Sequence, residues 1–140
     1  MSEFLKIENL PEIDDCLKLA VSGASRGFSG RASCYVNERE FQKFCELLKG
    51  FPSELGQSVS FSSGAKADLS YFTLSFVSSQ SSGRVVVNIG IFENEVASTP
   101  HSSHFSLLSE PAAVDRFYTR LKSVSQVGAV GSLAVLSNET

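Results

Sequence analysis

The sequence predicts an α+β domain: an antiparallel sheet of about six strands with two amphipathic helices packed on one face, in the order β-β-α-β-β-β-β-α. Three observations carry this. First, two β-rich runs, residues 69–77 and 84–92, flank the polar connection Ser78–Gly83, the pattern of a β-hairpin. Second, Asn37 followed by Glu40 opens a segment in which Phe41, Phe44, Cys45 and Leu48 recur at helical spacing. Third, the connections between successive strands are short, which favours antiparallel pairing.

Taken in order, residues 1–15 mix Phe4, Leu5, Ile7 and Leu10 with acids and Pro11 and read as an edge strand or an irregular lead-in. Leu17, Leu19 and Val21 alternate with Lys18, Ala20 and Ser22, a half-buried strand. The stretch from Ser22 to Gly30 carries Gly23, Gly27 and Gly30 and reads as a flexible hairpin turn. The next strand sets Ala32, Cys34 and Val36 on one face and Arg31, Ser33 and Tyr35 on the other. If the two apolar faces match, Cys16 points away from Cys34 and a regular hairpin cannot bond them.

In the first helix Asn37 caps, Gly50 stops and Pro52 prevents resumption. Cys45 lies in its apolar stripe and reads as a buried, inert thiol. Residues 58–62 alternate around Val59 and Phe61. In the central hairpin, Phe72, Leu74 and Phe76 face Val85, Val87, Ile89 and Ile91. Residues 93–103 read as a polar loop and 104–108 as the last strand. Ser109 reads as the cap of the second helix, with Glu110 and Pro111 in its first turn and Val114, Phe117, Leu121 and Val124 as its stripe. Residues 125–140 lack a clear period; a strand, loose packing and disorder all remain open.

The 140 residues suit a single domain, 1–140, large enough for a core without staples. Phe, at 11 residues, is the main core-forming ring and Trp is absent. The net charge of −3 and pI of about 5.4 match a phosphate backbone poorly, which argues against nucleic acid as partner. Three cysteines and no secretory pattern argue for reduced thiols in the cytoplasm. No run is long and apolar enough to span a membrane.

The acids are unevenly spread. Glu3, Glu8, Glu12, Asp14 and Asp15 crowd the N-terminus, and Glu93, Glu95, Glu110 and Asp115 fall in a stretch without Lys or Arg. If these segments meet they form an anionic patch that attracts a basic partner. Arg26 and Phe28, at the glycine-rich tip, are residue types enriched at binding hot spots. His101 and His104 have the spacing of a metal pair, but in a loop they read as solvated histidines, with metal binding the weaker alternative. The glycine loop lacks the Gly-Lys-Ser/Thr ending of a P-loop, and nothing marks a His and an acid as partners for a serine. No cofactor is implied, and the balance favours binding over catalysis.

The turn Gly27-Phe28-Ser29-Gly30, Tyr35-Val36-Asn37 leading into Glu40-Phe41-Gln42-Lys43-Phe44 with Leu47-Leu48, Gly83-Arg84-Val85, and Phe105-Ser106-Leu107 before a helix with Phe117 and Leu121 are features shared with a known group. Over residues 17 to 124 the layout resembles small bacterial immunity-type proteins, such as the WapI-like family that protects cells from the toxin tips of WapA-like contact-dependent toxins. That resemblance implies a cytoplasmic protein that binds a cognate toxin, often through acidic surfaces. Asp14, Asp15, Glu93 and Glu95 are the acids expected to steer such a partner, with Arg26 and Phe28 as contacts at the loop tip. The alternatives are a small-ligand or metal-binding domain, and an accessory subunit that is monomeric or pairs as a homodimer.

Overall fold

The computed structural model describes residues 3–12, 15–64, 69–80 and 82–137. In chain order the elements are β1 (Phe4–Asn9), β2 (Leu17–Ser25), β3 (Phe28–Val36), α1 (Glu38–Leu47), β4 (Ser58–Ser62), β5 (Ser70–Ser78), β6 (Val85–Glu93), β7 (His101–Ser109), α2 (Pro111–Val124) and β8 (Leu133–Ser137). The α+β class, the antiparallel pairing and the two helices are as expected. The strands, however, divide into two four-stranded sheets, β3-β2-β1-β8 and β4-β5-β6-β7, rather than one sheet of about six.

The division follows from the two segments that local pattern leaves undecided. β1 is an interior strand, not an edge or lead-in: it pairs with β2 on one side and β8 on the other. β8 comes from the tail, and its Ala134 and Leu136 are fully buried beside Ile7 and Leu5.

The β2–β3 hairpin has the expected faces. Leu17, Leu19 and Val21 stand opposite Val36, Cys34 and Ala32, all buried. The turn is tighter than the glycine content suggests. Only Arg26 and Gly27 lie between the paired Ser25 and Phe28, and both have positive φ, 49° and 85°, as a type I′ turn requires. Gly23 and Gly30 belong instead to the strands, where they are paired with each other.

That pair sets how the sheets meet. β3 packs on β5, β6 and β7, and β2 on β6 and β7. A Cβ at Gly23 would stand 2.8 Å from the Phe4 carbonyl oxygen and 2.9 Å from Cζ of Phe105; one at Gly30 would stand 3.2 Å from Cβ of Ser103. Glycine is therefore required for the inner faces to approach this closely.

Away from this contact the helices fill the space between the sheets. Asn37 caps α1 by accepting the Glu40 N–H at 3.0 Å. Phe41 and Phe44 of α1 meet Phe61 of β4 at 5.2 and 5.4 Å between centroids, and Phe117 of α2 meets Phe76 of β5 at 6.2 Å. α2 lies along β8 and β1. Its cap is Glu110, with Pro111 at the first helical position; Ser109 is not the cap but the buried last residue of β7. At the other end of α2, the buried Asn9 amide donates to the carbonyls of Val124 and Gln126 at 2.9 and 2.8 Å. Gln42 donates to the Ser125 carbonyl at 3.0 Å. Carbonyls at a helix end need such donors once water is excluded. No helix among the described residues is long and apolar enough to cross a membrane.

Gly23→Ala should destabilise the fold by about 2 kcal/mol, because the new methyl meets a backbone oxygen as well as a ring. Gly30→Ala should cost less, since only side-chain carbons oppose it. Urea midpoints of the two variants against the parent check this order.

Candidate functional site

The outer face of the β4-β5-β6-β7 sheet follows from register. Ser60, Ser75, Asn88 and Ser106 form one row across the four strands, and Ser62, Thr73, Gly90 and His104 form the next. An aromatic end row holds Tyr71 and Phe92, stacked at 4.2 Å with 8° between ring planes, and the edge of His104 meets Phe92 at 4.9 Å. The opposite end row is Val77, Val86 and Leu108. Between these ends the polar rows frame a hollow of about 550 Å³. Gly90 is buried beneath it, covered by its neighbours: a Cβ there would stand 2.5 Å from Oγ1 of Thr73, 3.1 Å from Cε2 of Phe92 and 3.3 Å from Cδ2 of His104.

A second hollow of about 360 Å³ shares His104, Phe105 and Ser106 with the first and is completed by Ser25, Arg26 and Phe28. Arg26 and Phe28, chosen for their place at a hairpin tip, thus stand beside His104. The Phe28 ring is 62% exposed.

His101 and His104 lie on a strand, not in a loop entering one. The polar run around them hid β7, because its sequence, His101-Ser102-Ser103-His104, has no apolar alternation. Three residues apart on a strand, the two side chains take opposite faces. His101 pairs across the sheet with Glu93, and both line an inward hollow with Arg31. The geometry thus separates the histidines. Among the described residues no group of three or more His, Cys, Asp or Glu side chains is placed to hold a metal.

The acids converge elsewhere. Glu95 lines a hollow of about 510 Å³ with Lys18, Ser33, Tyr35 and Leu69. The Tyr35 hydroxyl donates to the Glu12 carboxylate at 2.6 Å, and the Lys18 ammonium sits 5.2 Å from the Tyr35 ring centroid. Glu93 accepts the Glu95 N–H at 2.8 Å. The N-terminal and 93–95 acidic segments therefore do meet, around Tyr35. Asp15 is exposed, and Asp14 lies outside the described residues. Glu12 is one of the N-terminal acids expected to form a patch; Tyr35 and Lys18, which carry the junction with it, were not singled out by residue pattern. The available clue was Tyr35 on the outward face of a strand that also carries a buried alternation.

The six candidate contacts do not form one surface. Phe28 and Tyr35 stand at opposite ends of β3, roughly 23 Å apart at the usual rise per residue.

Gly23-Ala24-Ser25-Arg26-Gly27 has the spelling of a nucleophile elbow, a motif that presents its serine at a strand-to-helix turn. Here the turn joins two strands, and Ser25 is 3% exposed and paired with Phe28. The hydroxyl is not presented for attack. The thiols divide similarly: Cys16 is exposed, Cys34 and Cys45 are buried, and all three are free. Burial pushes the Cys34 thiol up to about 11, helped by the nearby Glu95 charge and opposed by a hydrogen bond with Ser63. Burial and the Glu46 carboxylate push Cys45 up to about 12. Both are protonated at neutral pH and poor nucleophiles.

The fold and its surfaces thus define a two-sheet α+β protein with a neutral, hydroxyl-rich hollow on one sheet and an acidic junction at the far end of β3. No family model matches this sequence, and no curated protein or solved structure gives a significant match.

The native state should bind more protons than the unfolded chain between pH 9.0 and about 11 for Cys34, and up to about 12 for Cys45. Their contribution is complete below pH 9.0 and is lost as pH rises through that window. Urea midpoints should fall less steeply with alkaline pH in a Cys34→Ala/Cys45→Ala variant than in the parent. Iodoacetamide on the native protein at neutral pH should alkylate Cys16 alone, read by peptide mass.

Proposed function

We propose that the protein is a non-catalytic protein-binding module of immunity type, acting in the bacterial cytoplasm by binding a cognate toxin directly. One observation carries the reading: two acid-rich segments far apart in sequence are brought together around an exposed tyrosine. Tyr35 is 57% exposed, with Glu12 on its hydroxyl and Glu95 beside it. Leu69, at the same hollow, is 73% exposed. An aromatic anchor with Lys18 against its ring, and an apolar neighbour, flanked by Glu12 and Glu95, have the make-up of a binding hot spot for a basic protein. The acids speed encounter by attraction over distance, and the ring and Leu69 supply the area that is desolvated on contact. The resemblance to WapI-like immunity proteins agrees with that chemistry.

In this reading binding occludes the toxin or clamps it, and this chain supplies no reacting group. Arg26 and Phe28, at the far end of β3, fall outside the contact unless the partner spans the strand's length.

A toxin domain encoded beside this gene is the natural probe. Coexpression of the parent protein should restore growth of cells producing that domain. An Asp15→Asn/Glu93→Gln/Glu95→Gln variant keeps the shapes and removes the charges. Its association rate in stopped flow should fall about tenfold at low salt and lose most of its salt dependence. An unchanged rate and salt slope would remove the acidic junction from the proposal.

A further inference from the structure

We propose that the outer face of the β4-β5-β6-β7 sheet is a binding site for an uncharged saccharide, which lies across the row of Ser60, Ser75, Asn88 and Ser106 with one sugar ring against Phe28. The proposal is independent of the acidic junction, which lies at the other end of β3.

The chemistry of the face selects the ligand. No outward-facing position on these four strands is Asp, Glu, Lys or Arg, in a chain with 27 such residues, 15 acidic and 12 basic. A charged ligand would find no carboxylate, ammonium or guanidinium on the floor of the hollow. A lipid would bury hydroxyls and an amide without partners, which is costly. A saccharide does neither. Each serine or threonine hydroxyl both donates and accepts, as does each sugar hydroxyl, and the Asn88 amide offers both functions at fixed positions.

The groups are free to do this. Ser106 donates to the Asn88 Oδ1 at 2.6 Å, which orients the amide and leaves its NH₂ outward. The hydroxyls of Ser60, Thr73 and Ser75 have no hydrogen bond to another described residue, and neither do the His104 nitrogens. The hollow, about 550 Å³, falls within the size range of small-molecule sites. At Gly90 the side chains of Thr73, Phe92 and His104 close over the place a Cβ would take, and so bring the Thr73 hydroxyl and the His104 ring into the lining.

The rim supplies the apolar contact. The contiguous hollow at β7 joins His104 and Ser106 to Phe28 and Arg26; an exposed phenyl face suits the C–H face of a pyranose ring, and the guanidinium can donate to its hydroxyls. A second copy of the chain fits less well. A two-fold interface sets the same patch against itself, and two concave surfaces facing each other would enclose a void.

The test is an amide NMR titration of the intact protein with five neutral trisaccharides: cellotriose, chitotriose, maltotriose, laminaritriose and mannotriose. At least one should give saturable shifts centred on the amides of Ser75, Asn88, Gly90 and Ser106, with the amides around Tyr35 unmoved. Asn88→Ala and Phe28→Ala, both exposed positions, should each weaken that sugar about tenfold, the loss of roughly one hydrogen bond or contact, while keeping the parent's spectrum elsewhere. Failure of all five sugars to shift these amides at millimolar concentration would overturn the proposal. So would shifts on this face that grow with protein concentration without sugar, which would assign the face to a second copy.

Discussion

The architecture depends on two missing methyl groups. Gly23 and Gly30 face each other across the β2–β3 ladder, and there side chains of the second sheet press close against the backbone of the first. The Phe105 ring occupies the space a side chain at Gly23 would take, and Ile91 and Ser103 approach Gly30. This close contact pins β3 across β5, β6 and β7. It thereby places the hairpin tip beyond β7, so that Phe28 reaches His104, and the far end of β3 beside the segment after β6, so that Tyr35 meets Glu95. Both candidate surfaces are consequences of one crossing.

Where the sheets diverge, aromatic side chains supply the volume. Phe76 is the centre: its ring meets Phe44 at 6.1 Å, Phe117 at 6.2 Å and Phe51 at 6.4 Å between centroids. These contacts tie α1, α2 and the turn after α1 to β5. Tilted and edge-on ring pairs fill a wedge of changing width better than branched aliphatic side chains, and each adds to the area term. The aliphatic residues lie where spacing is regular, as with Leu5, Ile7, Leu17 and Leu19 on the inner face of the first sheet. The abundance of Phe thus reflects the geometry of two sheets that touch along one side and part along the other.

Local rules wrote much of this fold into the sequence. The Asn37 cap, the α1 stripe, the faces of β2 and β3, and the pairing of β5 with β6 all arise from residues within a few turns or one hairpin of each other. What could not be read arises over long separations. Phe4 pairs with Ser137, and no local period announces a partner at that distance. The glycines misled for a related reason: a turn glycine and one that lets a distant ring approach look alike in sequence, and Gly27 is the first kind, Gly23 the second. β7 was half hidden because an exposed edge strand built from serine and histidine carries no hydrophobic alternation at its start. Of the candidate residues, Arg26, Phe28 and His104 proved to be neighbours, while His101 was separated from His104 by the pleat. The acidic junction was legible only as a condition, that two charged segments meet. Tyr35 is the residue at which they do.

The two surfaces are built from opposite materials, and the reason lies in what stands behind each. The outer face of the second sheet is backed by its own buried inner face, so its strands are held rigid whatever their outward side chains are. Small hydroxyl residues can occupy it without loss of order, and Gly90 leaves room for the side chains of Thr73, Phe92 and His104 to close over it. The junction at Tyr35 has no such backing: it is assembled from a strand end, the lead into β2 and the loop after β6. There the Tyr35–Glu12 hydrogen bond joins the strand end to the lead into β2, and the Glu93 carboxylate on the Glu95 N–H shapes the loop after β6. Charged and aromatic side chains are therefore structural parts of that surface before any partner arrives. A groove whose floor carries no Asp, Glu, Lys or Arg suits recognition by direction and number of hydrogen bonds, and an acid-rimmed ring suits recognition by attraction and desolvation.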